Sequence, residues 1–153
     1  MIRRAIITDI PCLIDLLSEV AMVHHRLRPD LFKPNTTKYA EHELATIIAD
    51  EQSPIFVYDE EGIKAYAFCR IQEMKDDRLL QDRKTLYIDD LCVTEHSRGR
   101  HIGSKLFAYV REYAQTIECD AITLNVWEGN EAAMHFYRSI GMAVQKTGME
   151  MAL

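Results

Sequence analysis

The chain has 153 residues, 48% of them hydrophobic and 27% charged, which is typical of one soluble globular domain with a sizeable core. Its net charge of −6 argues against general nucleic-acid affinity, and no apolar run approaches the ~18 residues of a transmembrane helix. The N-terminus lacks the apolar stretch of a signal peptide, and the four scattered cysteines form no CxxC pair. We therefore expect a single domain over residues 1–153, cytoplasmic, with reduced cysteines and no nucleic-acid or membrane partner.

The first fifty residues predict one strand and two helices. Ile2–Ile7 is expected to be a strand, and the Thr8-Asp9 pair then offers an N-cap for a helix. Leucines and valines recur at helical spacing as far as Arg26, where a proline-containing loop follows. We expect residues 35–36 (Asn-Thr) to cap a second helix, which the Ser53-Pro54 pair ends.

The middle of the chain predicts three consecutive strands. Ile55–Tyr58 and Ile63–Met74 are separated by a short turn and indicate a hairpin, and Thr85–Val93 follows after a charged loop. The last of these strands carries Asp89 and Asp90 inside an apolar run. Successive side chains of a regular strand point to opposite faces, so we expect at most one of the two acids to face a given site.

The last third alternates between helix and strand. A helix is expected from Ile102 to Glu118, a strand at Ala121–Trp127, and a helix from Asn130 to Ile140. The stretch Val144–Leu153 is expected to hold two short strands divided at Gly148. Strands in series followed by a strand-helix-strand unit indicate an α/β domain, with a mixed sheet and helices on both faces.

A basic turn follows the third of the middle strands and opens the next helix. Its sequence from Arg98 to Gly103 is RGRHIG. Glycines let backbone N–H groups approach a ligand, and a helix N-terminus adds unpaired N–H groups with partial positive charge. This combination favours a phosphate-like anion. The alternative is a plain connection with surface arginines, whereas the Walker phosphate loop is excluded by its spacing.

The last predicted helix presents a second candidate surface. Asn130, Ala133 and Tyr137 stand at positions i, i+3 and i+7 and therefore share one face, with a small residue between an amide and a phenol. The alternative is that Tyr137 is an ordinary core aromatic residue. The histidines show no metal-ligand spacing, so no metal site is expected, and Ser104 and Cys92 lack an identifiable partner for nucleophilic catalysis.

Together these two motifs resemble those of the GNAT superfamily of N-acetyltransferases. The family motif R/Q-x-x-G-x-G/A is matched at Arg98 and Gly103, with His101 in place of the middle glycine, and the later N-x-x-A-x-x-x-Y motif is matched from Asn130 to Tyr137. The run LYIDDLCV is most similar to the polyamine and diamine acetyltransferase branch. The resemblance implies a mixed, mostly antiparallel twisted sheet of six to seven strands, helices on both faces, and a splayed parallel strand pair that holds coenzyme A.

The resemblance also implies acetyl-CoA as co-substrate, with no metal. Strand backbone would pair with its pantetheine arm, the basic turn would hold its pyrophosphate, and the last helix would flank the arm. A bulge is usual in the strand beside it. The implied binding residues are Leu91, Cys92, Val93, Arg98, Gly99, Arg100, His101, Ile102, Gly103, Ser104, Asn130, Ala133 and Tyr137.

The implied reaction is direct attack of a primary amine on the thioester. Tyr137 would be the acid that protonates the leaving thiolate, and Asp89 the base, through a water or with a raised pKa. The acceptor, a small-molecule or peptide amine, is expected to meet His24, His25, Asp30, Phe32, Tyr66 and Asp90. A homodimer is also expected. The alternative from another class is a non-catalytic CoA-binding sensor or interaction module on the same fold.

Overall fold

Five strands form one sheet in the order in which they occur along the chain, β1-β2-β3-β4-β5. The structure is a computed structural model that describes all 153 residues. The pairs β1–β2, β2–β3 and β3–β4 are antiparallel, and β5 is parallel to β4. None of the helices is both long and apolar enough to cross a membrane. The elements are β1 (Ile2–Arg4), α1 (Ile10–Leu27), α2 (Glu41–Ala49), β2 (Ile55–Asp59), β3 (Ile63–Met74), β4 (Arg83–Val93), α3 (Ile102–Thr116), β5 (Ala121–Leu124) and α4 (Glu131–Ser139).

Helices cover both faces of the sheet, as the sequence predicts. On one face, α1 and α2 pack through buried leucines against Tyr66 and Phe68 of β3. On the other face, α3 and part of α4 pack against Ala65 and Ala67 of the same strand. Because apolar residues occur at consecutive positions of β3, both of its faces are buried, which is the arrangement of a central strand.

The start of α2 differs from the sequence prediction. The helix begins at Glu41, not after residues 35–36, and Ala40 is its N-cap residue. The backbone N–H of Ala40 donates to Oε1 of Glu43 at 3.0 Å, so a side chain from the first turn of the helix provides the hydrogen-bond partner of the N-cap residue. Asn35 instead adopts a left-handed turn conformation with φ of 52°. The predicted Asn-Thr cap is therefore wrong.

The sheet has fewer strands than the six to seven expected. Strand β5 ends at Leu124, three residues before the predicted end at Trp127, and its outer edge is unpaired. Residues 143–153 form no strand and make no backbone–backbone hydrogen bond. The remaining architecture, a mixed sheet with helices on both faces, is confirmed.

A bulge interrupts β4 where it passes β3. Phe68 stands opposite Asp90, and the next residue, Cys69, stands opposite Ile88, so Asp89 is an extra residue with no direct partner. Such an insertion bends the strand and increases its local twist. The bulge that the family resemblance implies is present.

Beyond this bulge, β4 and β5 separate. They pair only between Thr85–Ile88 and Ala121–Leu124, while β4 continues to Val93 with no neighbour on that side. The parallel pair is therefore splayed, as expected, and the free edge of β4 forms one wall of a gap.

A charge network joins the first strand to the start of α1. The Arg3 guanidinium contacts Asp9 at 2.8 and 3.0 Å and Asp59 at 2.8 Å, and Asp9 also accepts the N–H of Ile6. Asp9 is buried, with 6% of its surface exposed. Hydrogen bonding by Arg3 holds the pKa of Asp9 below its ordinary value, against the opposing effect of burial. The ionised form is therefore the one that stabilises the fold.

We expect Asp9→Asn to lower the free energy of unfolding at pH 7 by about 2 kcal/mol, since it weakens a charge-assisted network. Because the pKa of Asp9 is lowered by folding, its stabilisation is complete above about pH 5 and is lost as the pH falls through 3.8 toward the folded-state value. Urea unfolding between pH 7 and pH 3 measures both effects. Asp15→Asn, at an exposed position of α1, is the control, and equal losses in the two variants would contradict the assignment.

Candidate active site

The β4 bulge directs both acids toward one group of aromatic side chains. Asp89 Oδ2 accepts hydrogen bonds from the Tyr39 hydroxyl and from Lys38 Nζ, both at 2.8 Å. Asp90 Oδ2 accepts one from the Tyr66 hydroxyl at 2.6 Å. Tyr39 and Tyr66 both pack on Phe68, with ring centroids 5.7 and 4.9 Å from it. The prediction that the acids point to opposite faces is therefore wrong, because it assumes a regular strand.

The two carboxyl groups have opposite electrostatic environments. Burial acts to raise the pKa of Asp89, but hydrogen bonds from Lys38 and Tyr39 outweigh it and hold that pKa below its ordinary value. Burial raises the pKa of Asp90, and the single hydrogen bond from Tyr66 does not offset it. One carboxylate is thus paired with a cation, while its neighbour holds a proton more tightly than an ordinary carboxyl group does. Neighbouring acids with divergent pKa values are typical of acid–base sites.

The backbone of β4 beyond the bulge lines the gap. The N–H of Thr94 donates to the carbonyl of Lys64 in β3 at 2.9 Å. Since backbone groups alternate in direction along a strand, the N–H and C=O groups of Val93 and Leu91 point the other way, into the gap. Arg98 Nε donates to the Val93 carbonyl at 3.3 Å. The edge can therefore pair with an extended ligand.

Cys92 lies between these two residues and faces the core. Burial raises the pKa of its thiol to about 12, so it is protonated at neutral pH and is a poor nucleophile. Its side chain packs in the hydrophobic cluster with Tyr66 and Phe68.

The turn between β4 and α3 presents a row of free backbone donors. None of the N–H groups from Gly99 to Ser104 donates a hydrogen bond within the chain, and the first helical bond runs from Lys105 to the carbonyl of His101. These groups lie at the N-terminus of a fifteen-residue helix, where the helix dipole adds partial positive charge. The geometry suits an anion such as a pyrophosphate.

The arginine side chains of this turn add few free hydrogen-bond donors to the row of backbone N–H groups. Arg98 is bonded to the Val93 carbonyl, and Arg100 forms an exposed ion pair with Glu60 at 2.9 Å. The backbone, together with the helix end, is therefore the main source of donors.

At two positions of the turn, the backbone conformation or the available space determines which residue type fits best. His101, the N-cap of α3, adopts a left-handed conformation with φ of 58°, which glycine adopts at lower cost. At Gly103, a Cβ atom would meet the Phe136 ring at 3.4 Å and Val93 at 3.6 Å. Gly103 thus allows α3, α4 and the end of β4 to come close together, where they border the gap.

Helix α4 begins at the predicted place. Asn130 Oδ1 accepts the N–H of Ala133 at 3.3 Å and caps the helix, and Gly141, with φ of 100°, follows its end. Tyr137 packs against Phe107 and Phe136, with centroid separations of 6.5 and 5.1 Å.

The Tyr137 hydroxyl is set up to remain protonated. It makes no hydrogen bond within the chain, yet no buried polar side-chain atom lacks a partner, so this oxygen reaches accessible space. Burial, followed by the charge of Asp90, raises the pKa of Tyr137. The phenol can therefore donate a proton at neutral pH.

The residues expected to meet the acceptor fall into three places. Near the end of β5, His24 packs on Phe32 at 5.1 Å, and Phe32 packs on Trp127 at 5.4 Å. His25 bonds to the Phe32 carbonyl at 2.7 Å and so fixes the loop. Tyr66 lies beneath the acids, as described above.

The remaining predicted residue, Asp30, is engaged elsewhere. Its carboxylate accepts two hydrogen bonds from the Arg28 guanidinium, at 2.9 and 2.7 Å, on the exposed loop after α1. This pairing removes Asp30 from the group around Asp89 and Asp90. No cluster of His, Cys, Asp and Glu side chains has the arrangement of a metal site.

Sequence reasoning missed three residues of the site. Lys38 and Tyr39 bond to Asp89 although they stand about fifty positions away in the chain, and Trp127 closes the aromatic group around Phe32. The lone tryptophan beside a predicted strand end was an available signal. Nothing in the local pattern distinguishes Lys38 from the other exposed lysines.

We expect His101→Gly to raise the free energy of unfolding by about 0.5 kcal/mol. Relief of the left-handed conformation is worth about 1 kcal/mol, part of which the greater freedom of glycine in the unfolded chain cancels. Lys105→Gly, inside α3, should instead lower the free energy of unfolding by about 1 kcal/mol. Urea unfolding of both variants checks the signs, and destabilisation by His101→Gly would mean that its side chain has a stabilising role.

Comparisons with known proteins agree with this geometry. The sequence matches the model of the acetyltransferase (GNAT) family over residues 20–142. Over 58 residues it is 34% identical to thialysine N-epsilon-acetyltransferase from Bos taurus, a match that covers 38% of this chain and spans about a third (34%) of that protein.

Solved structures extend the comparison to the whole chain. A crystal structure of a mutant of the BH1408 protein from Bacillus halodurans has a TM-score of 0.96 and 34% identity, over 100% of this chain and 99% of that one. An aminoglycoside acetyltransferase from an uncultured soil metagenomic sample, in complex with sisomicin, shares the fold with a TM-score of 0.75 at 18% identity, over 100% and 94% of the two chains. With its splayed strands, donor-lined turn and family match, the chain belongs to the GNAT family of acetyltransferases.

Proposed function

We propose that the protein transfers the acetyl group of acetyl-CoA to a primary amine of a small molecule or peptide. The observation that carries the proposal is the gap between β4 and β5. Free N–H groups lie at one end of it, and the two carboxyl groups at the β4 bulge lie at the other. Acetyl transfer itself is the activity of the family to which the chain belongs.

The residues present fit acetyl-CoA, which supplies the activated thioester when bound. The edge of β4 at Leu91 and Val93 offers backbone groups to an extended arm. The free N–H groups from Gly99 to Ser104 suit its pyrophosphate. Asn130 caps α4, and the helix face that carries Ala133 and Tyr137 is proposed to flank the arm.

Tyr137 is proposed as the general acid. Departure of a thiolate benefits from a nearby proton donor, and the raised pKa of Tyr137 keeps its hydroxyl protonated. The hydroxyl has no competing hydrogen-bond partner in the chain, so its proton remains available.

Asp89 is proposed as the base, with Lys38 as the feature that controls it. The Lys38 ammonium occupies the position beside Asp89 that a cationic acceptor would take, so we expect the acceptor to displace it. Loss of this ion pair removes one cause of the low pKa of Asp89 and makes it a stronger base. The raised pKa of Asp90 favours the alternative, in which Asp90 takes the proton and Asp89 only binds the ammonium.

The same carboxylates favour a cationic acceptor. Thialysine, named in one relative, and sisomicin, bound by a protein of the same fold, are both amines. The aromatic group of His24, Phe32 and Trp127 offers a ring surface at which an amine's carbon chain can pack. The net charge of −6 also favours approach of cations.

We also propose that the protein functions in the cytoplasm. All four cysteines are free, and one of them, Cys12, is exposed. Free thiols persist in a reducing compartment.

A thiol-release assay with acetyl-CoA and a panel of amines tests the activity. Lysine analogues, polyamines, aminoglycosides and peptide N-termini form the panel, and we expect release of free CoA with at least one cationic member. Calorimetric titration with CoA runs in parallel. Tight CoA binding without release for any amine would favour the alternative of a non-catalytic CoA-binding module.

We expect Tyr137→Phe to lower kcat by at least tenfold and up to the 10²–10⁴-fold typical of acid–base groups, with little change in CoA affinity. The phenyl ring keeps the packing against Phe107 while removing the proton. Steady-state kinetics and CoA titration measure the two quantities. Tyr109→Phe, on the face of α3 that packs on Phe56, is the matched control, and an unchanged kcat in Tyr137→Phe would remove its role as acid.

Paired substitutions distinguish the two acids. We expect Asp89→Asn to lower kcat by at least 10² and to raise KM for a cationic amine, because both proton transfer and ammonium binding are lost. Asp90→Asn keeps the hydrogen bond to Tyr66 and should have the smaller effect on kcat. If Asp90→Asn alone abolishes turnover, Asp90 is the base and the assignment to Asp89 is wrong.

A further inference from the structure

One lysine amine of the chain lies directly against the proposed base. Lys38 Nζ is 2.8 Å from Oδ2 of Asp89, and the Lys38 side chain is half exposed, at 48%. Lys38 belongs to the loop between α1 and α2, which is remote from β4 in the sequence. The ion pair thus brings a primary amine, the acceptor group of the proposed reaction, into the site from the chain itself.

The residues on either side of Lys38 hold the loop in place. The Tyr39 hydroxyl donates to the same oxygen of Asp89 at 2.8 Å, and its ring stacks on Phe68 with a centroid separation of 5.7 Å. The Thr37 hydroxyl donates to the Tyr39 carbonyl at 2.9 Å. The backbone is therefore held, while the flexible four-carbon side chain of Lys38 keeps its amine free to move within the site.

The direction of the gap brings the reactive end of a bound acetyl-CoA toward this amine. The free N–H groups that suit its pyrophosphate lie at the α3 end, beyond Val93. An arm that pairs with Val93 and Leu91 therefore extends along β4 toward the bulge. Asp89 lies two residues before Leu91, about 7 Å along the strand. The thioester belongs at that end of the gap, where the Lys38 amine lies.

We infer that Lys38 is a self-acetylation site, at which the chain transfers the acetyl group of acetyl-CoA to its own side-chain amine. The inference rests on the proposed function, because it uses the same base and the same acid. An amine tethered at the site reacts in an effectively unimolecular step, so the transfer needs no acceptor from solution. A free amine competes for the same position beside Asp89.

The transfer balances in atoms and protons. Asp89 takes one proton from the Lys38 ammonium, and the nitrogen lone pair then forms a bond to the thioester carbonyl carbon. The carbon–sulfur bond breaks with its electron pair on sulfur, and the Tyr137 hydroxyl protonates the thiolate. The nitrogen loses its second proton as the amide forms, which restores the Tyr137 hydroxyl through solvent, and Asp89 releases its proton to water. The products are acetylated Lys38, free CoA and one proton.

Acetylation changes the charge of the site. An acetylated lysine has no positive charge, so its ion pair with Asp89 is lost, whereas the Tyr39 hydrogen bond remains. Burial acts to raise the pKa of Asp89, and Lys38 and Tyr39 act to lower it, so that pKa rises when the Lys38 charge is removed. The modified chain therefore leaves Asp89 free to bind a cationic acceptor.

Lys75 is a matched lysine elsewhere on the chain. It also pairs with a carboxylate, that of Glu73 at 3.0 Å, and its side chain is more exposed, at 70%. It follows the last residue of β3, whose partner Arg83 is six positions, or about 20 Å, from Asp89 along β4. Acetylation by simple chemical reaction with acetyl-CoA would therefore reach Lys75 at least as readily as Lys38.

Peptide mass spectrometry of the full chain after incubation with isotope-labelled acetyl-CoA tests the site. We expect labelling of Lys38 at least tenfold faster than that of Lys75, with a rate constant independent of protein concentration, because the transfer is intramolecular. Tyr137→Phe should slow the labelling of Lys38 tenfold or more. An unlabelled Lys38, equal labelling of the two lysines, or a rate constant that rises with protein concentration would overturn the inference.

A measurement without acetyl-CoA tests the ion pair. Carboxyl NMR titration should give Asp89 a higher pKa in Lys38→Gln, whose neutral side chain resembles acetyl-lysine, than in the original chain. Lys75→Gln is the control and should leave the pKa of Asp89 unchanged. The same Asp89 titration in Lys38→Gln as in the original chain would also overturn the inference, because the amine would then not lie beside the base.

The amine panel separates this inference from the proposed function. CoA release with an added amine, but no label on Lys38, overturns the inference and leaves the proposed function intact. Label on Lys38 without turnover of any added amine supports the inference and contradicts the proposal of a free acceptor. Absence of both release and label overturns the two together.

Discussion

The extra residue in β4 at Asp89 is the constraint on which the site depends. Pairing between β4 and β5 ends at Ile88 and Leu124, immediately before the bulge. A bulge bends and twists its strand, so β4 diverges from β5 beyond this point and its edge stays free. The same bend turns two consecutive carboxyl groups toward one aromatic cluster. A single local irregularity therefore creates both the free edge of β4 and the acidic end of the gap.

The gap is electrostatically asymmetric, and the asymmetry suits its two proposed ligands. At the α3 end, the donors are backbone N–H groups and a helix N-terminus, while the side chains of Arg98 and Arg100 are bonded elsewhere. Fixed backbone donors hold an anion without ordering long side chains, which lowers the entropic cost of binding. At the bulge end, the partners of Asp89 lower its pKa and favour its negative charge, whereas burial raises the pKa of Asp90.

The difference between the adjacent acids has a simple physical origin. Asp89 is solvated by the protein itself through a cation and a hydroxyl, whereas Asp90 receives only the Tyr66 hydroxyl in a buried position. Burial penalises the ionised form unless partners compensate for the lost water. Lys38 belongs to the loop before α2, so the charge state of the acids depends on a segment that is not part of the sheet. Movement of that loop would change the electrostatics of the reaction centre.

Local sequence determined much of the domain. The bounds of β3 and α4 and the start of α3 follow from periodicity, caps and the glycine after α4, because these signals act within a few residues. The free N–H groups at the start of α3 and the cap of α4 at Asn130 follow in the same way. The family resemblance added the bulge and the splayed pair, which no local pattern specifies.

Tertiary structure alone decided the rest. The partners of Asp89 lie about fifty residues away in the chain. In a regular strand the two acids would point to opposite faces, but the bulge opposite β3 brings them to the same side. The late start of α2 goes against cap propensity, which favours Asn or Thr over Ala40; there the Glu43 side chain bonds back to the Ala40 N–H. The strand pattern of the last residues is explicit in the sequence, but pairing requires an edge in space. Composition and spacing therefore indicated candidate residues in β4, in the turn after it and in α4, whereas long-range packing decided which direction the two acids take and which partners they have.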